Sequence, residues 1–156
     1  MPRSYTILFL SKTDAARAYP LIQSASPNVS LEEWIAYFTR LSQLAESHGR
    51  VSGVVALESR RGYIHGLFSY CTGHRLGVGP ILNVENFIAI DAGDRASAIT
   101  SLIDAMERLA HDHGCATIHT DIPDTWATSS PQPSGLVAHL LKAGYDRESV
   151  RLSKST

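Results

Sequence analysis

Two extended apolar segments, ILNVENFIAID (81–91) and CATIHTDI (115–122), are separated by one helix-period run and little else. Within that run Ile99, Leu102, Ile103, Met106, Leu109 and Ala110 recur at helical spacing, and Gly114 ends it. A strand that returns through a helix lies parallel to the strand it left, because the crossover carries the chain back to the starting end. The chain is thereby committed to a sheet with at least one parallel pair and a helix lying across one face.

The upstream half adds the opposite kind of pairing. RVSGVVALES (50–59) and GYIHGLFSYC (62–71) are joined by RRG, and TGHRLGVGP leads from the second into 81–91. Connections this short join antiparallel neighbours, so the three segments form a meander. Before them come a strand, SYTILFL (4–10), and a helix, TDAARAYPLIQ, with Thr13 or Asp14 as its N-cap and Pro20 expected to kink or divide it. A longer helix follows at 30–49, where Ser30 and Glu33 form a capping box and Leu31, Trp34, Ile35, Phe38, Leu41 and Ala45 share a face. After 122 a turn-rich loop containing Trp126 leads into a short helix, GLVAHLLKAG, and a last strand, YDRESVRLSK. The order β-α-α-β-β-β-α-β-α-β is an α/β (α+β) chain with a mixed, mostly antiparallel central sheet and helices on both faces. No repeat or linker divides residues 1–156, so one domain is expected.

Charge narrows the partners. The formal net charge is −1 and Arg60-Arg61 is the one adjacent basic pair, so neither nucleic acid nor an anionic membrane surface is an expected partner. The apolar run near the N-terminus, Ile7 to Leu10, is too short for a signal peptide or a membrane span, which makes a cytoplasmic protein the default expectation. Cys71 and Cys115 lie far apart without a C-x-x-C spacing, and they suggest neither a disulfide framework nor zinc. The HDH run at 111–113 places its histidines two apart on a helix, where they diverge, so no metal is expected.

Chemistry is concentrated around 83–100. The apolar run Phe87 to Ile90 enters a turn, Asp91-Ala92-Gly93-Asp94, and then a helix start. The unpaired N–H groups of a helix N-terminus suit a diphosphate. Asn83, Glu85 and Asn86 interrupt an otherwise apolar strand, and simple alternation puts Asn83, Glu85, Phe87 and Ala89 on one face. The asparagines would mark a β-bulge. Glu85, if partly buried, is a candidate base; its alternative is a solvated carboxylate on the open face of the sheet. Tyr63 and His65 share a face of the preceding strand and would line a cleft near Glu85, or else serve as packed amphipathic side chains.

This element order resembles the GCN5-related N-acetyltransferase (GNAT) superfamily. The family's pyrophosphate loop, Gln/Arg-x-x-Gly-x-Gly/Ala, is similar to Arg95-Ala96-Ser97-Ala98-Ile99-Thr100, with Ala98 in place of the first glycine and Thr100 in place of the last Gly/Ala. HLLKAGY (139–145) is similar to the segment that closes the family's last helix, with Gly144 and Tyr145 matching. The resemblance implies transfer of an acetyl group from acetyl-CoA to a primary amine of a small molecule or protein. It implies that Arg95 to Thr100 hold the diphosphate and that the backbone of Phe87, Ile88, Ala89 and Ile90 holds the pantetheine arm. Glu85 would be the base, Asn83, Tyr63 and His65 would border the acceptor, and no metal would be needed. Many relatives pair, so a homodimer is compatible with it. The family often supplies a proton to the departing thiolate from a Tyr four residues before the glycine, and here that position is Leu140. That departure keeps a second reading open, a catalytically weak or inactive sensor that binds CoA or another ligand. A third is an interaction domain that uses the Trp126 loop.

Overall fold

The computed structural model describes residues 5–48, 51–90, 95–122 and 135–156. Within them a five-stranded sheet runs in chain order: β1 (Thr6–Phe9), β2 (Ser52–Glu58), β3 (Ile64–Arg75), β4 (Gly79–Ala89) and β5 (Thr117–Thr120). Pairing is antiparallel from β1 to β4 and parallel between β4 and β5, as the helix crossover requires. The helices are α1 (Tyr19–Ala25), α2 (Leu31–His48), α3 (Arg95–Asp112) and α4 (Gly135–Lys142). None is long and apolar enough to cross a membrane.

The sheet is buried on both faces, which explains the unbroken apolar run GVVAL in β2. Val54 and Ala56 join Leu67 and Ile88 against Leu21, Trp34 and Phe38 of α1 and α2. Val55 and Leu57 join Phe68, Leu82 and Phe87 against Ile99, Leu102 and Met106 of α3 and Leu140 of α4. The start of α2 is capped as expected, with the Glu33 N–H donating to Ser30 Oγ at 3.1 Å. Pro20 divides the first helical segment: residues Ala15–Ala18 form a 3-10 turn, and α1 begins with the proline in its first turn. The Trp34 indole N–H donates to the Ala15 carbonyl at 2.7 Å and ties α2 to that turn.

Two elements depart from expectation. The β3–β4 hairpin is longer and tighter than the Gly/Pro-rich TGHRLGVGP suggests, since Thr72, Gly73, His74 and Arg75 pair with Leu82, Ile81, Pro80 and Gly79. Leu76–Val78 alone make the turn, and Gly77 supplies a φ of 82° that side-chain-bearing residues resist. The expected last strand over 145–154 does not form. Val150 and Leu152 are 85% and 88% exposed, so their alternation has no apolar surface to cover. Side chains hold this segment instead, Arg151 to Asp121 at 2.6 Å and His119 to Glu148 at 3.6 Å.

Candidate active site

The site begins with an irregularity in β4. Leu67 pairs with Ile88 and Ser69 with Glu85, leaving Phe68 opposite both Asn86 and Phe87. This is a β-bulge, and Asn86 adopts a φ of 55°, a conformation asparagine tolerates better than most residues with side chains. The extra residue reverses the parity of the strand. Leu82 and Val84 face α3 before the bulge, and Phe87 and Ala89 face α3 after it. Asn83 and Glu85 therefore lie on the α2 side, opposite Phe87 and Ala89, and the expectation of one shared face is corrected. Simple alternation failed because it counts residues, and a bulge adds one without advancing the ladder.

Parallel pairing of β4 with β5 runs from Ile81–Thr117 to Val84–Thr120 and is followed by one long bond, Asp121 N–H to the Val84 carbonyl at 3.4 Å. Beyond it, Ile88 and Ala89 pair with Leu67 and Gly66 of β3, and among the described residues no strand pairs with the outer edge of β4 where the bulge bends it. That edge leads toward the N-terminus of α3. Residues 91–94, where the sequence suggests a turn, lie outside the described residues, as do the side chains of Arg95 and Ala96. Ala98 and Ile99 are buried at 0% and 1% exposure in the α3 core, while Ser97 is half-buried and Thr100 exposed. The Ala98 methyl group thus turns into the protein. The N-terminus of this eighteen-residue helix carries the positive end of its dipole.

Glu85 is exposed rather than partly buried, and it projects on the α2 side near Tyr37. The Tyr37 hydroxyl, the Ser69 hydroxyl and the Asn86 amide meet beneath it, with Asn86 Nδ2 3.0 Å from each oxygen and the two hydroxyls 2.9 Å apart. Burial raises the Tyr37 pKa above the usual tyrosine value, the hydrogen bond with Ser69 opposes this, and the Glu85 charge adds to the rise. Sequence reasoning missed Tyr37 and Ser69, because one reads as a helix aromatic and the other as a strand serine. Asn86 was the visible sign.

Tyr63 and His65 are not near Glu85. Tyr63 is 66% exposed at the β2–β3 turn. The His65 ring lies 5.8 Å from that of Tyr5, and its carbonyl accepts the Ile90 N–H at 2.8 Å. His65 lies four positions along β3 from Ser69, the partner of Glu85, which is roughly 13 Å. The two side chains belong to the far end of β4, nearer the α3 start. Asn83 does border a cleft, an opening of about 680 Å³ between β5, α4 and the 145–151 segment.

Leu140 lines the same cleft and is buried at 4% exposure, so this position of α4 offers the cleft an apolar side chain and no hydroxyl. Gly144, with a φ of 97°, closes α4, and the Tyr145 N–H returns to the Leu140 carbonyl at 3.0 Å. The Tyr145 hydroxyl is buried with no hydrogen-bond partner among the described residues. Burial, with a smaller contribution from Glu107, pushes its pKa up to about 12. The folded value lies above the ordinary value of 10, so the protonated phenol favours the folded state. That contribution is complete below pH 10 and is lost as pH rises through about 12. Tyr145→Phe is expected to flatten the decline in urea midpoint across that window. An unchanged slope would place the phenol in solvent.

Cys115 is half-buried, and burial raises its thiol pKa, the opposite of an activated nucleophile. Among the described residues no three His, Cys, Asp or Glu side chains converge as metal ligands.

A scan against protein-family models finds no match, and no curated protein matches in sequence. Solved structures do match across nearly the whole chain. The aminoglycoside N-acetyltransferase AAC(6')-Iy in complex with CoA superposes at a TM-score of 0.75 and 16% identity, over 99% of this chain and 98% of its own. Glucosamine-6-phosphate N-acetyltransferase from Arabidopsis thaliana gives 0.68 and 15%, over 97% and 98%. A ribosomal-protein-alanine N-acetyltransferase from Brucella melitensis biovar Abortus 2308 gives 0.70 and 13%, over 98% and 100%. The five-stranded mixed sheet with helices on both faces is the fold of the GCN5-related N-acetyltransferases.

Proposed function

We propose that this protein is an N-acetyltransferase that moves an acetyl group from acetyl-CoA to a primary amine of a small molecule or protein. The observation that carries this reading is the open edge of β4 beyond the Asn86 bulge, leading to the α3 N-terminus with Ala98 turned inward. In this reading the β4 edge at Phe87, Ile88, Ala89 and Ile90 bonds the pantetheine amides, and the start of α3, within Arg95 to Thr100, receives the diphosphate on its first-turn N–H groups. Relatives in fold that were solved with CoA or a CoA bisubstrate analogue support acetyl-CoA as the donor.

Glu85 takes the proton of the acceptor ammonium, directly or through a water, so that the free amine can attack the thioester carbonyl. The C–N bond forms, the nitrogen gives up its second proton to solvent water, the C–S bond breaks and the thiolate departs. Leu140 offers no proton to that thiolate. With a thiol pKa of about 8.5, sulfur leaves tolerably well as the anion near neutral pH, so the missing acid slows the step without forbidding it.

Calorimetric titration of ligand-stripped protein with acetyl-CoA tests the donor. Saturable micromolar binding is expected, weakened about tenfold or more by Arg95→Ala through loss of a charge-assisted phosphate contact. No heat and no thermal shift at millimolar acetyl-CoA would overturn the reading. The buried Leu140 favours one alternative, a protein of this fold that binds CoA as a sensor. It requires acetyl-CoA binding with no turnover on any amine.

A further inference from the structure

We infer that Tyr37, Ser69 and Asn86 are positioning residues that together clamp the β4 bulge and so set the geometry of the open edge beyond it. Three elements converge there: α2 supplies Tyr37, β3 supplies Ser69 and β4 supplies Asn86. Ser69 is polar yet only 1% exposed, which demands that its hydrogen-bonding capacity be used.

Counting protons gives each bond a direction. Ser69 Oγ donates its one proton to the Glu85 carbonyl at 3.0 Å. The Asn86 amide has two protons, one for the Tyr37 oxygen and one for Ser69 Oγ. With the serine proton already placed, the 2.9 Å contact between the hydroxyls has Tyr37 as donor. Ser69 Oγ then accepts two bonds and donates one, its full capacity. The ring of bonds closes without a spare donor.

A closed network resists displacement more than its separate bonds would. Here it holds the two features that a bulge leaves loose. The Glu85 carbonyl is fixed by Ser69, which orients the Glu85 side chain toward the α2 side. The Asn86 side chain is fixed at both protons, which maintains the positive φ and therefore the parity of Phe87 to Ala89. The clamp itself stands on geometry alone, and its consequence for ligand binding rests on the acetyltransferase reading.

Asn86→Gly separates the clamp from the backbone conformation, because glycine accepts φ 55° freely and has no side chain to bond. Hydrogen exchange read on peptides spanning β4 should show amides 86–90 exchanging about tenfold faster or more in Asn86→Gly and in Tyr37→Phe, while α3 amides stay unchanged. Acetyl-CoA affinity should fall about fivefold or more in the same variants. Unchanged exchange in both variants overturns the clamp. Faster exchange with unchanged acetyl-CoA affinity overturns its positioning role. If unaltered protein takes up no acetyl-CoA, the acetyltransferase reading falls, and the exchange measurement still decides the clamp. Tyr37→Phe removes one hydroxyl only and covers the case in which Asn86→Gly fails to fold.

Discussion

Glu85→Gln is expected to lower kcat for amine acetylation by about 10² to 10³-fold while leaving acetyl-CoA affinity within about twofold. Glutamine keeps the length and one accepting oxygen of glutamate and removes its negative charge and its capacity to accept a proton. Glu85 is exposed on the α2 side of β4, one residue before the bulge, with Tyr37 as a neighbour. Among the described residues the outer edge of β4 has no strand partner just beyond it. A substrate ammonium at that position meets a carboxylate, and no Lys or Arg among the described residues forms an ion pair with it. Rates on a panel of amines, with acetyl-CoA affinity measured separately, check the split. Equal activity of the variant would show that the amine arrives deprotonated or loses its proton to bulk water. Tight acetyl-CoA binding with no turnover in either protein would favour the sensor.

The sequence made the sheet legible where its signals were redundant. Helix period between two apolar strands required the parallel β4–β5 pair, and RRG required the β2–β3 hairpin. Where one signal had to serve two purposes, the reading failed. Gly73, Gly77 and Gly79 look like loop composition, yet Gly73 sits in a strand and only Gly77 and Gly79 need left-handed backbone. Val150 and Leu152 alternate as strand residues do, but alternation stabilises a strand only when one face is covered. At the site, the run of Asn83, Glu85 and Asn86 correctly marked a local break in the strand. It could not give the register, because a bulge is defined by the partner strand. Alternation alone puts Glu85 and Phe87 on one face, whereas the bulge puts them on opposite faces and His65 lies away from Glu85.

That parity reversal makes a stability prediction of comparable size. Phe87→Ala is expected to cost about 3–5 kcal/mol, a large share of the roughly 5–15 kcal/mol that stabilises a domain. Phe87 is 1% exposed and stacks on Phe68, with ring centroids 6.2 Å apart and planes 10° from parallel. Truncation removes that stack and leaves a cavity between β3, β4 and α3, which a sheet pinned on its other face by α1 and α2 cannot close. Glu85→Ala, two residues away but exposed and on the opposite face, should change stability by no more than about 0.5 kcal/mol. Urea denaturation of both variants reads the difference directly, with m-values close to the parent if the transition remains two-state. Had the strand no bulge, residues 85 and 87 would share one face, and the two substitutions would act on the same layer. A loss below about 1 kcal/mol for Phe87→Ala would therefore remove Phe87 from the α3 core, and with it the register that sends Glu85 to the other side.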